Sequence, residues 1–350
     1  MERYTKALCT EIELFKNELI SKTSIKTIFI GGGTPSTWPN DLLLDTSGRL
    51  KDVFNFNKME EVTIEINPGT VHLQQLTLWK QIGINRLSIG IQCLNDNILR
   101  KLNRRHTKKD VYFLINKACK EFNNISIDLI LGLPFVDEGM WKELVREVVT
   151  WPIQHISIYT LAVHKPTKLF FDIQSGSIKI PDDDVVADLY EWSVNFLKDN
   201  GFDQYEVSNF ARSGYESKHN MAYWNRLTYK GFGLGACSFD GKMRTQNQKS
   251  LLQYLTLLEA HESVIDFKEE LTQEQESLEL IMLGLRTIKG VSYGDLVGDG
   301  SEKERSRRDK YIMWLKANNL MYESEGQLIL TTKGMVVEDE IVATFFSGKE

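Results

Sequence analysis

Short apolar segments alternate with amphipathic segments through about the first 160 residues, and this alternation constrains the fold more than any other feature. The sequence predicts five strands there, at residues 27–30, 62–66, 86–91, 125–131 and 155–161. Strands that alternate with helices form β-α units around a parallel sheet. We therefore predict an α/β fold of partial parallel (β/α) barrel type, with a functional site on the loops that follow the strands.

The helical segments have apolar residues at helical spacing. They are predicted at residues 4–19, 42–54, 72–81, 109–122 and 140–149, with Ser47-Gly48 interrupting the second. In the first, Tyr4, Leu8, Ile12, Phe15 and Leu19 share one face. Gly83 closes the third helix, because a glycine is the usual residue after a helix end.

The pattern changes after Pro181. Three aspartates, Asp182 to Asp184, favour the start of a helix that runs to about Lys198, since acidic residues stabilise a helix N-terminus. Further on, helices at 273–285 and 308–317 precede a hairpin of residues 320–323 and 327–331. This order predicts a small helical, winged-helix-like C-terminal domain at 241–350, after a barrel domain with an extension at 1–240.

Composition narrows the class of protein. A net charge of −6 argues against a nucleic-acid partner. We predict no transmembrane segment, because no apolar run of about 18 residues occurs. The segment Met1 to Lys6 lacks the apolar core of a secretion signal, so we expect a cytoplasmic protein. The four cysteines are scattered, which makes a disulfide framework unexpected.

Polar residues and glycines collect at the predicted strand ends. A loop of Gly31 to Pro35 follows the first strand, and bare glycine backbone can approach a ligand closely. Glu65, Gln92 and Asp128 lie at or within the next three strands, and Arg104 follows a short helix. An acid within a buried strand needs a partner. Such a set suits a zwitterionic ligand that carries a sugar, since arginine pairs with carboxylates and glutamate binds ribose hydroxyls.

Six motifs in register make the chain similar to a known family. They are G-G-G-T-P (31–35), E-I-N-P-G-T (65–70), S-I-G-I-Q (88–92), L-N-R-R-H (102–106), D-L-I-L-G-L-P (128–134) and K-H-N-M-A-Y-W (218–224). The series resembles the radical S-adenosylmethionine (SAM) enzymes of the oxygen-independent coproporphyrinogen III oxidase group, and within it the HemW-like haem chaperone branch. The resemblance covers nearly the whole chain and implies a radical SAM-type barrel whose first strand is missing here.

The resemblance implies a set of SAM contacts. Gly32, Gly33 and Thr34 would hold the methionine part, and Glu65 would contact the ribose. Gln92 and Asp128 would line the nucleoside side, while Arg104 would pair with the SAM carboxylate. For Gln92 and Asp128, hydrogen bonding at a strand end is the alternative interpretation.

The segment from His219 to Trp224 resembles the H-N-x-x-Y-W signature of the HemW branch. His219 would then be a candidate ligand of haem iron, with Asn220, Tyr223 and Trp224 as further haem candidates. The alternative is an ordered loop in which His219 and Asn220 bond backbone groups.

The chain departs from the family in its cysteines. Relatives hold a 4Fe-4S cluster with C-x-x-x-C-x-x-C, and this sequence has no such triad, so no metal ligands are assigned. Either that loop lies upstream of Met1 in a longer protein, in which case the cluster is expected, or the chain is a degenerate paralogue. Cys237 stands where relatives commonly have histidine. A soft iron ligand is one hypothesis for it, and a small buried thiol is favoured. Relatives also usually carry an acid near His164.

Three functions follow from the resemblance. The first is a HemW-like haem chaperone that holds haem, delivers it to acceptor proteins and binds SAM. The second is an enzyme, an oxygen-independent coproporphyrinogen III dehydrogenase that uses a SAM-derived radical. The third is a binding or scaffold remnant without radical chemistry. The H-N-x-x-Y-W signature favours the first, and the sequence leaves open whether the chain forms a dimer.

Overall fold

The structure, a computed structural model, describes residues 1–18, 21–298 and 300–347. The strands are β1 Thr23–Ser24, β2 Thr27–Ile30, β3 Phe54–Asn55, β4 Glu61–Ile66, β5 Arg86–Gln92, β6 Ile125–Leu131, β7 His155–Thr160, β8 Asp203–Glu206, β9 Asn209–Ala211, β10 Cys237–Phe239, β11 Met243–Asn247, β12 Ile265–Glu270, β13 Val291–Ser292, β14 Met321–Ser324 and β15 Gln327–Leu330. The helices are α1 Glu2–Glu18, α2 Asn40–Val53, α3 Leu73–Ile82, α4 Asp96–Lys101, α5 Lys108–Glu121, α6 Glu138–Val148, α7 Lys168–Gln174, α8 Asp183–Asp199, α9 Lys218–Trp224, α10 Leu251–Glu259, α11 Gln273–Leu285, α12 Tyr293–Val297, α13 Glu302–Ala317, α14 Thr332–Val336 and α15 Glu338–Ser347.

The main sheet has seven strands in the order β2-β4-β5-β6-β7-β9-β8. β2 pairs with β4, β5 with β6 and β6 with β7, all in parallel. β9 runs antiparallel to both β7 and β8. All five predicted strands are present, which confirms the α/β class and the mainly parallel sheet. The antiparallel pair β8 and β9 follows α8 directly.

Two helix ends follow the predicted signals, whereas one predicted helix interruption and one predicted helix start are wrong. Gly83 follows α3 with a φ of 102°, and Asp182 precedes α8 as predicted. The predicted interruption of α2 is wrong, because the helix continues through Ser47-Gly48. A helical glycine costs about 1 kcal/mol relative to alanine, and burial of neighbouring residues outweighs this cost. Helix α13 begins six residues before the predicted start, at a capping box between Ser301 and Glu304 that the prediction overlooked.

Two compact groups of residues are present, the first comprising 1–64, 72–85 and 217–280, and the second 65–71, 86–216 and 281–350. The predicted domain boundary after residue 240 remains a prediction. In the first group, α1 contributes to two apolar clusters. Ala7 packs with residues of α10, and Leu8 and Ile12 pack with Val53 and Phe54. Leu19, assigned to the same face, lies outside the described residues.

The C-terminal part of the second group contains the predicted hairpin. β14 and β15 pair in an antiparallel manner, and Glu325 and Gly326 between them both have positive φ. β13 joins the other edge of β15, which gives the three-stranded sheet of a winged-helix-like unit. No described helix is long and apolar enough to cross a membrane.

A buried carboxylate in this C-terminal part makes stability depend on pH. Glu338 is only 3% exposed and pairs with Arg286 at 2.6 Å. Burial raises the pKa of Glu338 to about 7, although the Arg286 charge opposes the shift. Its stabilising contribution is therefore complete below about pH 4.5 and is lost as the pH rises through about 7.

We expect the unfolding free energy to fall by about 1 kcal/mol more in the wild type than in Glu338→Gln between about pH 6 and about pH 8. Urea unfolding of both proteins at the two pH values measures the difference. Equal changes in the two proteins would contradict the assignment to Glu338.

Candidate functional site

Four of the predicted SAM contacts lie in the second group, at or near the carboxyl ends of neighbouring strands. Glu65 is the penultimate residue of β4, and Gln92 is the last residue of β5. Asp128 lies midway along β6, where it is paired in register with Gly90. Arg104 follows α4 and is partly buried. Glu65 and Gln92 thus lie at the carboxyl ends of their strands, whereas Asp128 lies within its strand, and their contact with SAM stays a prediction.

Asp128 has hydrogen-bond partners on both neighbouring strands. Ser88 donates to its two carboxylate oxygens at 3.1 and 3.3 Å, and Ser157 also bonds to it. Burial raises the pKa of Asp128, while Ser157, the Arg86 charge and Ser88 act against the shift. The strand acid is therefore paired, as an acid in this position requires. These bonds match the alternative interpretation, hydrogen bonding within the sheet, and the SAM contact stays a prediction.

Gln92 has an unusual backbone conformation, with a φ of 69°. A Cβ atom at Gly90 would lie 3.0 Å from its Nε2 and 3.4 Å from the Asn67 side-chain oxygen. The first contact is tighter than an ordinary van der Waals separation, so a side chain at position 90 would displace the Gln92 amide by a few tenths of an ångström. The motifs E-I-N-P-G-T and S-I-G-I-Q therefore meet at this point.

His106, in L-N-R-R-H, has a packing role that the sequence did not predict. It is buried, and its Nε2 lies 3.3 Å from the carbonyl oxygen of Ile91. Its Cβ is 3.4 Å from the position of a Cβ built on Gly69. Burial lowers the pKa of His106, so the neutral ring is favoured. His106 thus joins the loop after β4 to the end of β5, near Arg104.

The glycine loop of residues 31–35, in the first group, is a turn that depends on the backbone freedom of glycine. Gly32 and Gly33 have φ values of 80° and 45°, which side-chain-bearing residues rarely adopt. An added Cβ would meet nothing within 4 Å at either position. The need for glycine is therefore backbone conformation rather than crowding. Thr34 follows, and its carbonyl accepts the amide of Thr37 at 3.0 Å in the next turn.

The H-N-x-x-Y-W signature lies on helix α9 rather than in a loop. Ser217 caps this helix and accepts the amide of Asn220 at 3.3 Å. Trp224 is the last residue of the helix and is partly buried. His219 and Tyr223 are one turn apart, so their side chains lie on the same face.

His219 contacts two strand residues and one helix residue. Its Nδ1 lies 2.8 Å from the hydroxyl of Thr27, and its Nε2 lies 3.2 Å from the hydroxyl of Tyr223. Its ring stacks on Phe29, with the centroids 5.2 Å apart and the planes at 23°. These three contacts involve side chains, and the role of His219 as a haem ligand stays a prediction.

Glu61, at the start of β4, fixes the beginning of α9. It is 3% exposed and accepts the amides of Lys218 at 2.9 Å and His219 at 3.1 Å. The hydroxyl of Ser217 donates to it at 3.3 Å. The carboxylate thus satisfies amides that a helix N-terminus leaves without partners. Sequence reasoning missed this residue, since nothing in the local pattern distinguishes it from its exposed neighbour Glu60.

Aromatic side chains continue from His219. The Tyr223 ring is 5.1 Å from the His219 ring and 4.7 Å from the ring of Tyr229, both edge to face. Tyr229 in turn lies 6.3 Å from Phe239 on β10. Tyr223 is 38% exposed, so this aromatic row reaches the surface of the first group. It offers flat apolar area next to an imidazole.

Cys237 departs from the favoured prediction of a small buried thiol, because it is exposed. The reason is local, since it begins the short strand β10, and the amide of Gln246 on β11 donates to its sulfur at 3.3 Å. In the preceding glycine-rich segment, a Cβ on Gly231 would lie 2.2 Å from the Cys237 carbonyl oxygen. A glycine is therefore obligatory there.

The other cysteines offer no cluster site within the part of the chain that the structure describes. Cys9 and Cys93 are buried and Cys119 is partly buried, and all are free thiols. No group of three or more Cys, His, Asp or Glu side chains among the described residues could hold a metal ion.

Comparison with known proteins identifies the relatives of this chain. The model of the radical SAM superfamily matches residues 11–148. The haem chaperone HemW of Bacillus subtilis is 32% identical over 331 residues, which cover 93% of this chain and 87% of that protein. HemW of Lactococcus lactis is 30% identical over 350 residues, with coverage of 99% and 89%.

Among solved structures, coproporphyrinogen III oxidase (HemN) from Escherichia coli, a radical SAM enzyme, superposes with a TM-score of 0.82. It is 23% identical, and the match covers 98% of this chain and 82% of that one. This similarity confirms the predicted fold class, a partial parallel barrel of radical SAM type with a winged-helix-like C-terminal part.

Proposed function

The chain belongs to the HemW family of haem chaperones, within the radical SAM superfamily, and on that premise we propose that it binds haem and transfers it to acceptor proteins. The observation that carries the proposal is the pair of HemW relatives, 32% and 30% identical over more than nine tenths of this chain. The arrangement around His219 supports it independently of the sequence comparison.

The residues of the first group fit haem by their chemistry. Imidazole is a common ligand of haem iron, and both ring nitrogens of His219 lie within hydrogen-bond distance of a hydroxyl. Tyr223 and Tyr229 place aromatic rings beside it, which can pack on a porphyrin. We propose that His219 is the iron ligand and that Asn220, Tyr223 and Trp224 contribute to the same site. Haem would supply the iron and the porphyrin that acceptor proteins need.

SAM is the second proposed cofactor, since the family is built around it. We propose that Gly32, Gly33 and Thr34 contact its methionine part. We also propose that Glu65, Gln92, Asp128 and Arg104 contact the nucleoside and the carboxylate. The paired state of Asp128 and the turn at Gly32 and Gly33 are compatible with these roles. A 4Fe-4S cluster has no fitting set of ligands among the described residues, and no step here depends on one.

The oxidase alternative rests on fold alone, because the HemN structure is 23% identical to this chain. Similarity at that level does not carry an activity. The haem-acceptor proteins, a dimeric state and a cytoplasmic location remain proposals of the chaperone hypothesis.

Haem titration followed by transfer tests the proposal. We expect stepwise addition of ferric haem to the folded chain to give a saturable shift of the Soret band at one haem per chain. Mixing the loaded chain with apomyoglobin should then move the haem to the globin at a measurable rate. The same titration in urea separates binding by the folded site from adsorption. A Soret band that stays that of free haem would contradict the proposal.

A further inference from the structure

The ring of His219 lies between two hydroxyl groups. Thr27 Oγ1 is 2.8 Å from Nδ1, and Tyr223 Oη is 3.2 Å from Nε2. A neutral imidazole has one nitrogen that donates and one that accepts, so the two hydroxyls must play opposite parts. The arrangement therefore selects one tautomer of His219, and the chemistry of the hydroxyls determines which one.

The two hydroxyls differ in acidity. The phenol of Tyr223 ionises near pH 10 in its unperturbed state, whereas the alcohol of Thr27 is far less acidic. The phenol is therefore the better donor, and the aliphatic oxygen is the better acceptor. Tyr223 should donate to Nε2, and Nδ1–H should donate to Thr27. The 2.8 Å distance at Nδ1 is a well-formed bond in either direction, so the difference in acidity is what assigns the donor.

We propose that Thr27 and Tyr223 are positioning residues that hold His219 with its proton on Nδ1 and its lone pair on Nε2. This inference rests on the proposed function, because the lone pair on Nε2 is what an iron ligand must present. Histidine ligands of metals usually donate their other ring N–H to a neighbouring oxygen, which fixes the ring and raises its basicity. Thr27 would be that neighbour.

The surroundings keep the ring from turning out of this arrangement. Thr27 and Phe29 are two positions apart on β2, so their side chains point to the same side of the strand. Phe29 stacks on the imidazole at 5.2 Å, while Thr27 bonds its Nδ1. The hydroxyl of Tyr223, one helical turn after His219, lies 3.2 Å from Nε2. On haem binding, the Tyr223 hydroxyl would leave Nε2 and the bond from Nδ1–H to Thr27 would remain.

The tautomer can be measured without haem. The chain has six histidines, and comparison with His219→Ala identifies the His219 signals in a histidine-labelled sample. At about pH 8, above the ordinary imidazole pKa of about 6.5, two-bond ¹H–¹⁵N correlation spectra distinguish protonated from unprotonated ring nitrogens. We expect a protonated Nδ1 and an unprotonated Nε2. A protonated Nε2 in the wild type would overturn the inference, whatever the haem titration gives.

Substitutions at Thr27 test the same point through binding. Thr27→Val removes the hydroxyl at nearly constant volume, and Thr27→Ser keeps it. We expect Thr27→Val to move the proton toward Nε2 and to weaken ferric haem binding about tenfold, in the range found for partners of metal ligands. Thr27→Ser should retain the wild-type tautomer and bind haem within about twofold of the wild type, since its hydroxyl persists.

Tyr223→Phe separates the two hydroxyls. The ring is kept and only the donor to Nε2 is lost, so we expect the excess of the Nδ1–H tautomer to shrink. A tautomer ratio equal to that of the wild type would overturn the positioning role of Tyr223. Equal tautomers and equal affinities in Thr27→Val and the wild type would overturn the role of Thr27. Failure of the wild type to bind haem would overturn the proposed function. The assignment of the proton to Nδ1 would still stand, because the spectra that test it are recorded without haem.

Discussion

Replacement of His219 by alanine is expected to lower the affinity of the chain for ferric haem at least about tenfold, because an iron ligand is lost. The Soret maximum of any residual complex should also shift toward that of free haem. Tyr223 and Tyr229 would still offer stacking area, so some binding should persist. Titration of the wild type and the variant under identical conditions measures both effects.

A second histidine gives the matched control. His261 is exposed, lies in the same compact group and has a φ of 57°. Asparagine tolerates that conformation better than alanine does, so His261→Asn is the suitable substitution. It should bind haem as the wild type does. An equal loss in both variants would indicate nonspecific binding, and no loss in His219→Ala would remove His219 as the ligand.

Much of the fold could be predicted because its signals are local. Apolar runs and turn residues identified all five strands of the first 160 residues, and Gly83 marked a helix end. The short antiparallel strands β10 to β12 were missed, since Met243–Asn247 is mostly polar and half-buried. A strand of that kind is held by its neighbours rather than by its own pattern.

The candidate site shows where such reasoning ends. His219 could be found because the family signature marks it, but its partners could not. Thr27 is 192 positions away from it in sequence, and Glu61 is 158 positions away. Neither the sequence around Thr27 nor that around Glu61 predicts a contact with α9. Contacts of this kind follow only once β2, β4 and α9 have been brought together by the fold.

These two partners divide the task of orienting the histidine. Thr27 acts on the ring, through Nδ1. Glu61 acts on the backbone, through the amides of Lys218 and His219. Substitution of Thr27 should change the tautomer of His219 and leave helix α9 intact. Substitution of Glu61 should destabilise the start of α9. The unfolding free energy should therefore fall for substitutions at Glu61 and change little for substitutions at Thr27.

The carboxylate of Glu61 is the second large expected effect. Glu61→Ala should lower the unfolding free energy by about 3 kcal/mol, because it removes the buried carboxylate that accepts from the Ser217 hydroxyl and from two amides at the start of α9. Glu61→Gln should cost roughly half as much, since one side-chain oxygen remains to accept. Denaturant unfolding of the full chain gives both values, and haem titration of the folded variants should show weakened binding.

The preceding residue offers a close control. Glu60 carries the same charge one position earlier, but it is exposed and pairs only across the surface, with Lys218 at 2.6 Å and Lys26 at 3.6 Å. Such pairs contribute about 0 to 1 kcal/mol, so Glu60→Ala should change stability by less than about 1 kcal/mol and leave haem affinity unaltered. If the two alanine variants behaved alike, the effect of Glu61 would be one of charge near Lys218. A large difference between them would assign it to the hydrogen bonds that begin α9, and thereby to the orientation of His219.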